Sequence, residues 1–290
     1  MTIQISASPN THAVAYFARK RIVPSRMTED EWAEIPAQLR IRAFYMPGVD
    51  NVRFLTTAYD KIMKTLKLER EKVKYGYAYV RRDTFIYDLR LIARDERIEM
   101  LGDITDPKAT EYLGQFYDMQ VDQSHGYAGW KMDQDTDSIY NFPAQEFLRI
   151  SKIEGERSWS RRWIAAGGKF YGKPKKKFMI ALKNDPIWIR ISIFGMPWPP
   201  FDYNSGMGVE SVPRESAIAL DIIAPDQEIA ADDMGFNDNL EYDVSALAPA
   251  FVEKLTNLFG TLVQIANGKL KWNKPSSPII HHPHPIIRPR

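Results

Sequence analysis

The chain has 290 residues, of which 44% are apolar and 26% charged, and its formal net charge is +2. These fractions are typical of a globular protein with its own core, and the small net charge excludes an overall electrostatic footprint for nucleic acid. The absence of cysteine excludes disulfides, thiolate metal sites and cysteine nucleophiles. No segment approaches about twenty consecutive apolar residues and the N-terminus lacks a signal-peptide pattern, so we expect no membrane association and a cytosolic protein at synthesis.

Residues 1–27 are predicted to form an arm that is extended or becomes ordered on assembly. They combine polar residues and two prolines, Pro9 and Pro24, with the basic run at 19–21. Segments of this composition bury little apolar surface by themselves. The sequence therefore favours a peripheral segment here.

Residues 28–141 are predicted to be mainly helical. Thr28 and Glu31 have the spacing of a capping box, in which each side chain accepts a hydrogen bond from the other residue's amide. Asp50 is expected to cap an amphipathic helix, and Asp106 followed by Pro107 is the clearest helix start, with the helix running to about residue 131. A shorter helix is expected over 83–93, and the segment 67–82 is either a short strand or an irregular loop.

The histidines could be catalytic or metal-binding residues, but their sequence context favours a packing role for His125 and an interaction or disordered segment for the others. His125 lies in the long helix, where a lone histidine is typically a hydrogen-bonded packing residue. His281, His282 and His284 cluster in the tail 271–290, whose prolines indicate an extended interaction arm or disorder. Without a rigid frame around them, we expect no physiological metal site.

Alternating carboxylates at Asp133, Asp135 and Asp137 resemble the first half of a calcium loop. That loop then needs glycine at its sixth position and glutamate at its twelfth, where this chain has Ser138 and Ala144. The segment is therefore interpreted as a polar helix end and turn. We expect no cofactor.

Residues 142–270 are predicted to be an α+β region with a small sheet, so that the fold class is α+β with a helical N-terminal half. Strands are expected at 146–151 and 177–182. Helices are expected at 158–166, at 186–194, after Pro213, and from Asp243 through Ile265 to a break near Gly268.

The least ordinary segment is 195–207, here named the crossing, where aromatic side chains alternate with prolines. Proline fixes φ and removes a backbone donor, so this segment cannot be an interior helix or a central strand. Its aromatics either fill gaps between elements of the core or form a surface for a partner. The protein-interaction candidates are Trp198, Pro199, Pro200, Phe201, Tyr203 and Met207.

Charge is distributed in two blocks. Residues 161–183 contain eight lysines or arginines and no acid, whereas 215–243 contain acids and no base. Such blocks are solvated faces, docking faces between neighbouring copies, or, for the basic block, a contact with phosphate. The basic-patch candidates are Arg161, Arg162, Lys173, Lys175, Lys176 and Lys177.

Three segments carry a family resemblance. They are DPKATEYLGQFYDMQVDQSHGYAGWKMDQD (106–135), FPAQEFLRI with RRWIAAGG (within 142–168) and MIALKNDPIWIRISIFGMPWPPFDYNSGMGVESVPRESAIAL (179–220). In this order they resemble the head-morphogenesis or minor head proteins of tailed bacteriophages, broadly the phage Mu F-like group. The most specific part is PPFDYNSGM. Many members of that group carry a Cys/His pattern here, which this chain lacks, so no metal or nuclease property is carried over.

The resemblance implies a structural protein of a phage or prophage virion. Its expected partners are the portal protein, the major capsid protein or both, with several copies in the particle and a possible contact with DNA. It would occupy the host cytoplasm during assembly and then the head or neck of the virion. Two alternatives remain open: a carboxylate-dependent hydrolase or transferase of phage development, and a nucleic-acid-binding module that uses the basic block 161–183.

Overall fold

The computed structural model describes residues 8–73, 76–98, 106–151, 158–174, 176–231, 241–245 and 247–273. The chain divides into two compact units, Met1–Asp233 and Met234–Arg290. The boundary falls inside the predicted α+β region rather than at either of its ends. The predicted α+β class and the helical N-terminal half are confirmed.

Helices dominate the first part of the first unit and a four-stranded sheet occupies the second part. The described helices are α1 (Thr11–Ala18), α2 (Glu29–Ala33), α3 (Ala37–Arg40), α4 (Val52–Leu66), α5 (Arg82–Asp95), α6 (Pro107–Asp133), α7 (Thr136–Asn141), α8 (Trp159–Ala165), α9 (Ile187–Ile191) and α10 (Arg214–Ala219). The described strands are β1 (Arg21–Ile22), β2 (Ala43–Phe44), β3 (Arg70–Val73), β4 (Gly76–Tyr79), β5 (Ala144–Arg149), β6 (Phe170–Lys173), β7 (Lys176–Leu182) and β8 (Met207–Val212). Among the described helices, none combines the length and apolarity needed to cross a membrane.

The N-terminal segment is folded into the core over residues 8–27, where the sequence predicts an arm. Asn10 caps α1, and Ala13, Tyr16 and Phe17 are fully buried. Strand β1 then pairs in parallel with β2. The three- and four-residue spacing of these apolar side chains makes one buried helix face, which the polar average composition of the segment obscures.

Local capping chemistry determines where the helices begin. Thr28 and Glu31 form the predicted capping box at α2. Asp106 accepts a hydrogen bond from the Lys108 amide at 2.8 Å and starts α6 as predicted. The cap of α4 is Asn51 rather than Asp50, because its Oδ1 accepts from the Phe54 amide at 2.9 Å.

The sheet has the order β6-β7-β5-β8 with antiparallel neighbours throughout. Central strand β5 pairs on one side with β7 and on the other with β8, so that Ala144 lies opposite both Leu182 and Val212. The sequence predicts β5 and β7 but not β8, which lies between the crossing and Pro213. Its burial alternates weakly, because Met207 and Gly208 are both buried.

The second unit contains β9 (Glu241–Asp243), α11 (Pro249–Phe259), a 3₁₀ turn (Gly260–Leu262), β10 (Val263–Ala266) and β11 (Lys269–Trp272). The strands form a sheet of order β10-β11-β9. The predicted helix through Ile265 is wrong, since α11 ends at Phe259 and the chain turns back as a hairpin. Asn267 and Gly268 have positive φ at that turn, as a two-residue hairpin loop requires. The tail from 274, with its three clustered histidines, lies outside the described residues.

Candidate functional site: the crossing and the α6 cavity

The crossing faces inward. Trp198, Phe201 and Met207 are 3%, 0% and 5% exposed, whereas Pro199 and Pro200 are half-buried. The remaining candidate, Tyr203, is 39% exposed and stacks edge-on against Phe194. Three of the six interaction candidates are therefore core residues and do not form a docking surface in this structure. The aromatics fill gaps between elements, because burial of their large apolar area is favourable.

The crossing joins α1 to α6. The ring centroid of Trp198 lies 5.9 Å from that of Tyr16 and 5.2 Å from those of both Tyr127 and Trp130. The Tyr16 hydroxyl donates to the Met196 sulfur at 3.6 Å. An aromatic cluster thus connects three segments that are far apart in sequence.

Gly126 of α6 permits this close approach. A Cβ at this position would come closer than 3.0 Å to the Pro199 carbonyl oxygen, which is a backbone atom and cannot rotate away. Gly129, one turn further along the same helix, would meet nothing within 4 Å. The helix backbone therefore packs directly on the crossing at Gly126.

The second half of the crossing closes the core beside the sheet. The Phe201 ring lies 5.4 Å from Phe147 and 6.1 Å from Trp188, measured between centroids. Next to it, Arg162 Nη1 donates to Asp202 Oδ2 at 2.6 Å, and its Nη2 donates to the Ile191 carbonyl at 3.0 Å. Arg162, one of the basic-patch candidates, therefore holds the crossing to α8 and α9.

The other basic-patch candidates are placed differently. Arg161, Lys173, Lys176 and Lys177 are exposed, and Lys175 lies outside the described residues. Lys173 pairs directly opposite Lys176 across the antiparallel strands β6 and β7. The described residues of the basic block thus comprise one structural arginine, one buried lysine and a set of exposed side chains. The buried lysine is Lys183, whose Nζ lies 3.3 Å from Asp133 Oδ1.

Asp202→Asn is expected to destabilise the first unit by about 1–2 kcal/mol, because it removes the carboxylate from a partly buried, charge-assisted hydrogen bond. The matched control is Asp50→Asn, since Asp50 also binds an arginine, Arg26, at 2.6 Å but both side chains are largely exposed. We expect no more than about 0.5 kcal/mol there. Urea unfolding followed by tryptophan fluorescence measures both; equal effects would contradict the structural role of Asp202.

A cavity of about 300 Å³ lies between α6, the segment 20–47 and the crossing. It is here named the α6 cavity. Its lining combines aromatic and apolar walls with a few polar groups from elements that are separate in sequence. The lining residues are Lys20, Glu29, Trp32, Arg40, Ile41, Ala43, Tyr45, Pro47, Tyr112, Gln115, Phe116, Met119, Gln120, Gln123, Phe194, Met196 and Tyr203.

Lys20 is the most unusual of these residues. Its side chain is 3% exposed, and its Nζ lies 5.1 Å from the centroid of the Tyr16 ring. Within the described part of the chain it has no carboxylate partner, and burial alone lowers the pKa of Lys20 to about 7. The ammonium group is therefore desolvated, and the face of the Tyr16 ring takes the place of a counter-ion among the described residues.

Three of the lining residues each bury one polar atom without a hydrogen-bond partner among the described residues: Arg40 Nε, the Tyr112 hydroxyl and Gln120 Oε1. Burial lowers the pKa of Arg40 and raises that of Tyr112. Each of these atoms has almost no accessible surface, so it lies behind the cavity wall and does not face the cavity.

Glu29 is the one carboxylate among the described lining residues, and it is exposed. Burial, followed by the charge of Glu29, raises the pKa of Tyr203 to about 12. The α6 cavity therefore does not supply the pair of carboxylates that the hydrolase or transferase alternative needs.

The carboxylates at the end of α6 serve the backbone. Helix α6 ends at Asp133, which agrees with the predicted helix end and turn. Asp135 then accepts hydrogen bonds from the Asp137 and Ser138 amides at 3.0 and 3.4 Å and caps α7, a helix that the sequence did not predict. No group of three or more potential metal ligands is found in the described ranges. His125 is exposed, so the prediction that it is a packing residue is wrong.

The sequence reasoning missed the polar residues of the α6 cavity. Lys20 belongs to the basic run of the predicted peripheral arm. The available signal was a set of polar side chains, Gln120 and Gln123 among them, on an otherwise apolar helix face. Such residues are buried only where something satisfies them.

We compared the chain with protein-family models, with curated proteins and with solved structures, and none of the three comparisons finds a match.

Proposed function

We propose that this chain is a structural protein of a tailed-phage or prophage virion, of the minor head or head-morphogenesis type. It would act through contacts with the portal protein, the major capsid protein or both, during head assembly and DNA packaging. The proposal depends on the resemblance of three sequence segments to the phage Mu F-like group. The proposal is also supported by the packing of these three segments against one another.

The observation that supports the proposal best is the arrangement of those segments. Helix α6, from the first, contacts the crossing, from the third, through Gly126 and Pro199. Strand β5, from the second, pairs with β7 and β8, which lie largely in the third. A resemblance confined to residues that form one packed body is what a shared fold unit predicts, whereas chance similarities would be scattered over the structure.

A second candidate function is contact with DNA in the same particle. It is favoured by the exposed β6–β7 hairpin, where Lys173 and Lys176 lie opposite each other and Lys177 follows. Like charges directly opposite are unfavourable in a sheet unless an anion lies between or near them. Phosphate groups would supply that anion.

Purified particles test both functions. Particles from cells that encode the chain are separated on a density gradient, and quantitative mass spectrometry measures its copies relative to the portal protein. We expect a fixed, low copy number that sediments with heads. Abundance in the lysate without recovery in particles would contradict the proposal.

A second arm of the experiment distinguishes the two kinds of contact. Opened heads are treated with nuclease and then washed at increasing salt concentration. Retention of the chain assigns its contact to protein subunits. Release by nuclease, or a steep logarithmic dependence of release on salt, assigns it to DNA.

A further inference from the structure

We propose that the α6 cavity is a binding site for a small aromatic anion, with its acidic group held by Lys20. This inference is independent of the virion role. It follows from the buried lysine that lines the cavity and from the aromatic walls around it.

The buried polar residues of the lining indicate a ligand-binding cavity rather than a packing defect. Lys20 and Gln120 are 3% and 8% exposed, and both line it. They come from the α1–β1 connection and from α6, so the fold brings two buried polar side chains to one space. Its volume of about 300 Å³ lies at the lower end of the range of ligand-binding cavities.

The charge in the cavity interior is positive. Lys20 and Arg40 line the cavity, and Lys20 has no ion-pair partner in the described residues. The lone lining carboxylate, Glu29, is exposed to solvent. A buried cation is unfavourable unless a counter-charge accompanies it, so an anion would gain affinity by pairing with a group that is already desolvated.

The walls of the cavity define the rest of the ligand. They include Phe116, Trp32 and Met196. Aromatic and thioether walls favour a planar aromatic body by edge and face contacts.

The probes for this inference are a matched pair of fluorescent compounds. The dye 8-anilino-1-naphthalenesulfonate has an aromatic body, one N–H donor and one sulfonate, and N-phenyl-1-naphthylamine is the same body without the sulfonate. Each is titrated into the full chain, and affinity and stoichiometry are measured by fluorescence and calorimetry. We expect one site that binds the anion at least about tenfold more tightly, the factor expected of one charge-assisted hydrogen bond.

Lys20→Met is expected to lower the affinity for the anion about tenfold or more and to leave the affinity for the neutral compound nearly unchanged. The control is Lys169→Met, an exposed lysine that does not line the cavity, for which both affinities should remain as in the wild type. Equal wild-type affinities for the two probes, several weak sites, or an unchanged anion affinity in Lys20→Met would overturn the proposal.

A measurement on the wild type keeps the test valid if Lys20→Met does not fold. Reductive methylation with formaldehyde and cyanoborohydride, followed by peptide mass spectrometry, gives the rate at which each lysine reacts. The sulfonate should slow methylation of Lys20 at least about fivefold at saturation, because a bound ligand blocks access, and leave Lys169 unaffected. Lack of protection at Lys20 at saturating probe would equally overturn the proposal.

Discussion

Gly126→Ala is expected to destabilise the first unit by about 3 kcal/mol, near the upper end of the usual range for overpacking. The added methyl would overlap the Pro199 carbonyl oxygen, and both atoms belong to the backbone or are fixed to it. This overlap can therefore be removed only if the crossing moves away from α6. That movement would separate Trp198 from Tyr127 and Trp130 and lose the ring contacts at 5.2 Å.

Gly129→Ala is the matched control, since it makes the same substitution in the same helix where a Cβ has open space. Alanine there should stabilise the helix by about 0.5–1 kcal/mol, because glycine loses more backbone entropy on folding. Urea unfolding monitored by circular dichroism and tryptophan fluorescence compares the two variants. If both stabilise the protein, the direct packing of α6 on the crossing is contradicted.

The stability of the wild type is expected to rise between pH 7 and about pH 9 through Lys20. Burial lowers the pKa of Lys20 to about 7 in the folded chain, against an ordinary value of 10.5. Between these values the unfolded state binds more protons than the folded state, so raising the pH favours folding. Through this group the free energy of unfolding rises by at most about 1.4 kcal/mol per pH unit. Over the whole interval the increase is on the order of 3 kcal/mol. The penalty of burying the charge is fully present below pH 7.

Lys20→Met should abolish this rise and make the protein more stable than the wild type near pH 7, because it removes the desolvated charge and keeps the apolar stem. Lys169→Met is again the control and should retain the rise. The comparison is confined to pH below about 9, since burial raises the pKa of Tyr16, Tyr45 and Tyr112, and these groups lower stability at higher pH. Parallel pH profiles for the wild type and Lys20→Met would show that the lysine is not desolvated.

The predictions from sequence succeeded where the chemistry is local. The capping box at Thr28 and the start of α6 at Asp106 each involve residues within three positions of one another. They failed where two local preferences compete. The apolar pattern after residue 259 fits both a continued helix and a strand. The strand forms because the chain reverses in the hairpin turn at Asn267.

For the candidate site, the sequence located the crossing but could not say which way its side chains face. Trp198 and Phe201 would suit a partner surface equally well by composition, and only the packing against α6 and the sheet places them inside. Arg162 looked like part of a basic patch because its acceptor, Asp202, is 40 residues away. Lys20 looked peripheral because nothing near it in sequence buries it.

The sequence by itself determined the fold class, most of the helix starts and the position of the proline-aromatic segment, because short-range hydrogen bonds and proline geometry act over a few residues. The tertiary structure alone decided that residues 8–27 contribute to the core, that the crossing packs inward and that a buried lysine lines a cavity with aromatic walls. The physical reason is distance along the chain. Burial at these places depends on contacts such as that between Tyr16 and Met196, which are 180 residues apart and carry no local signal.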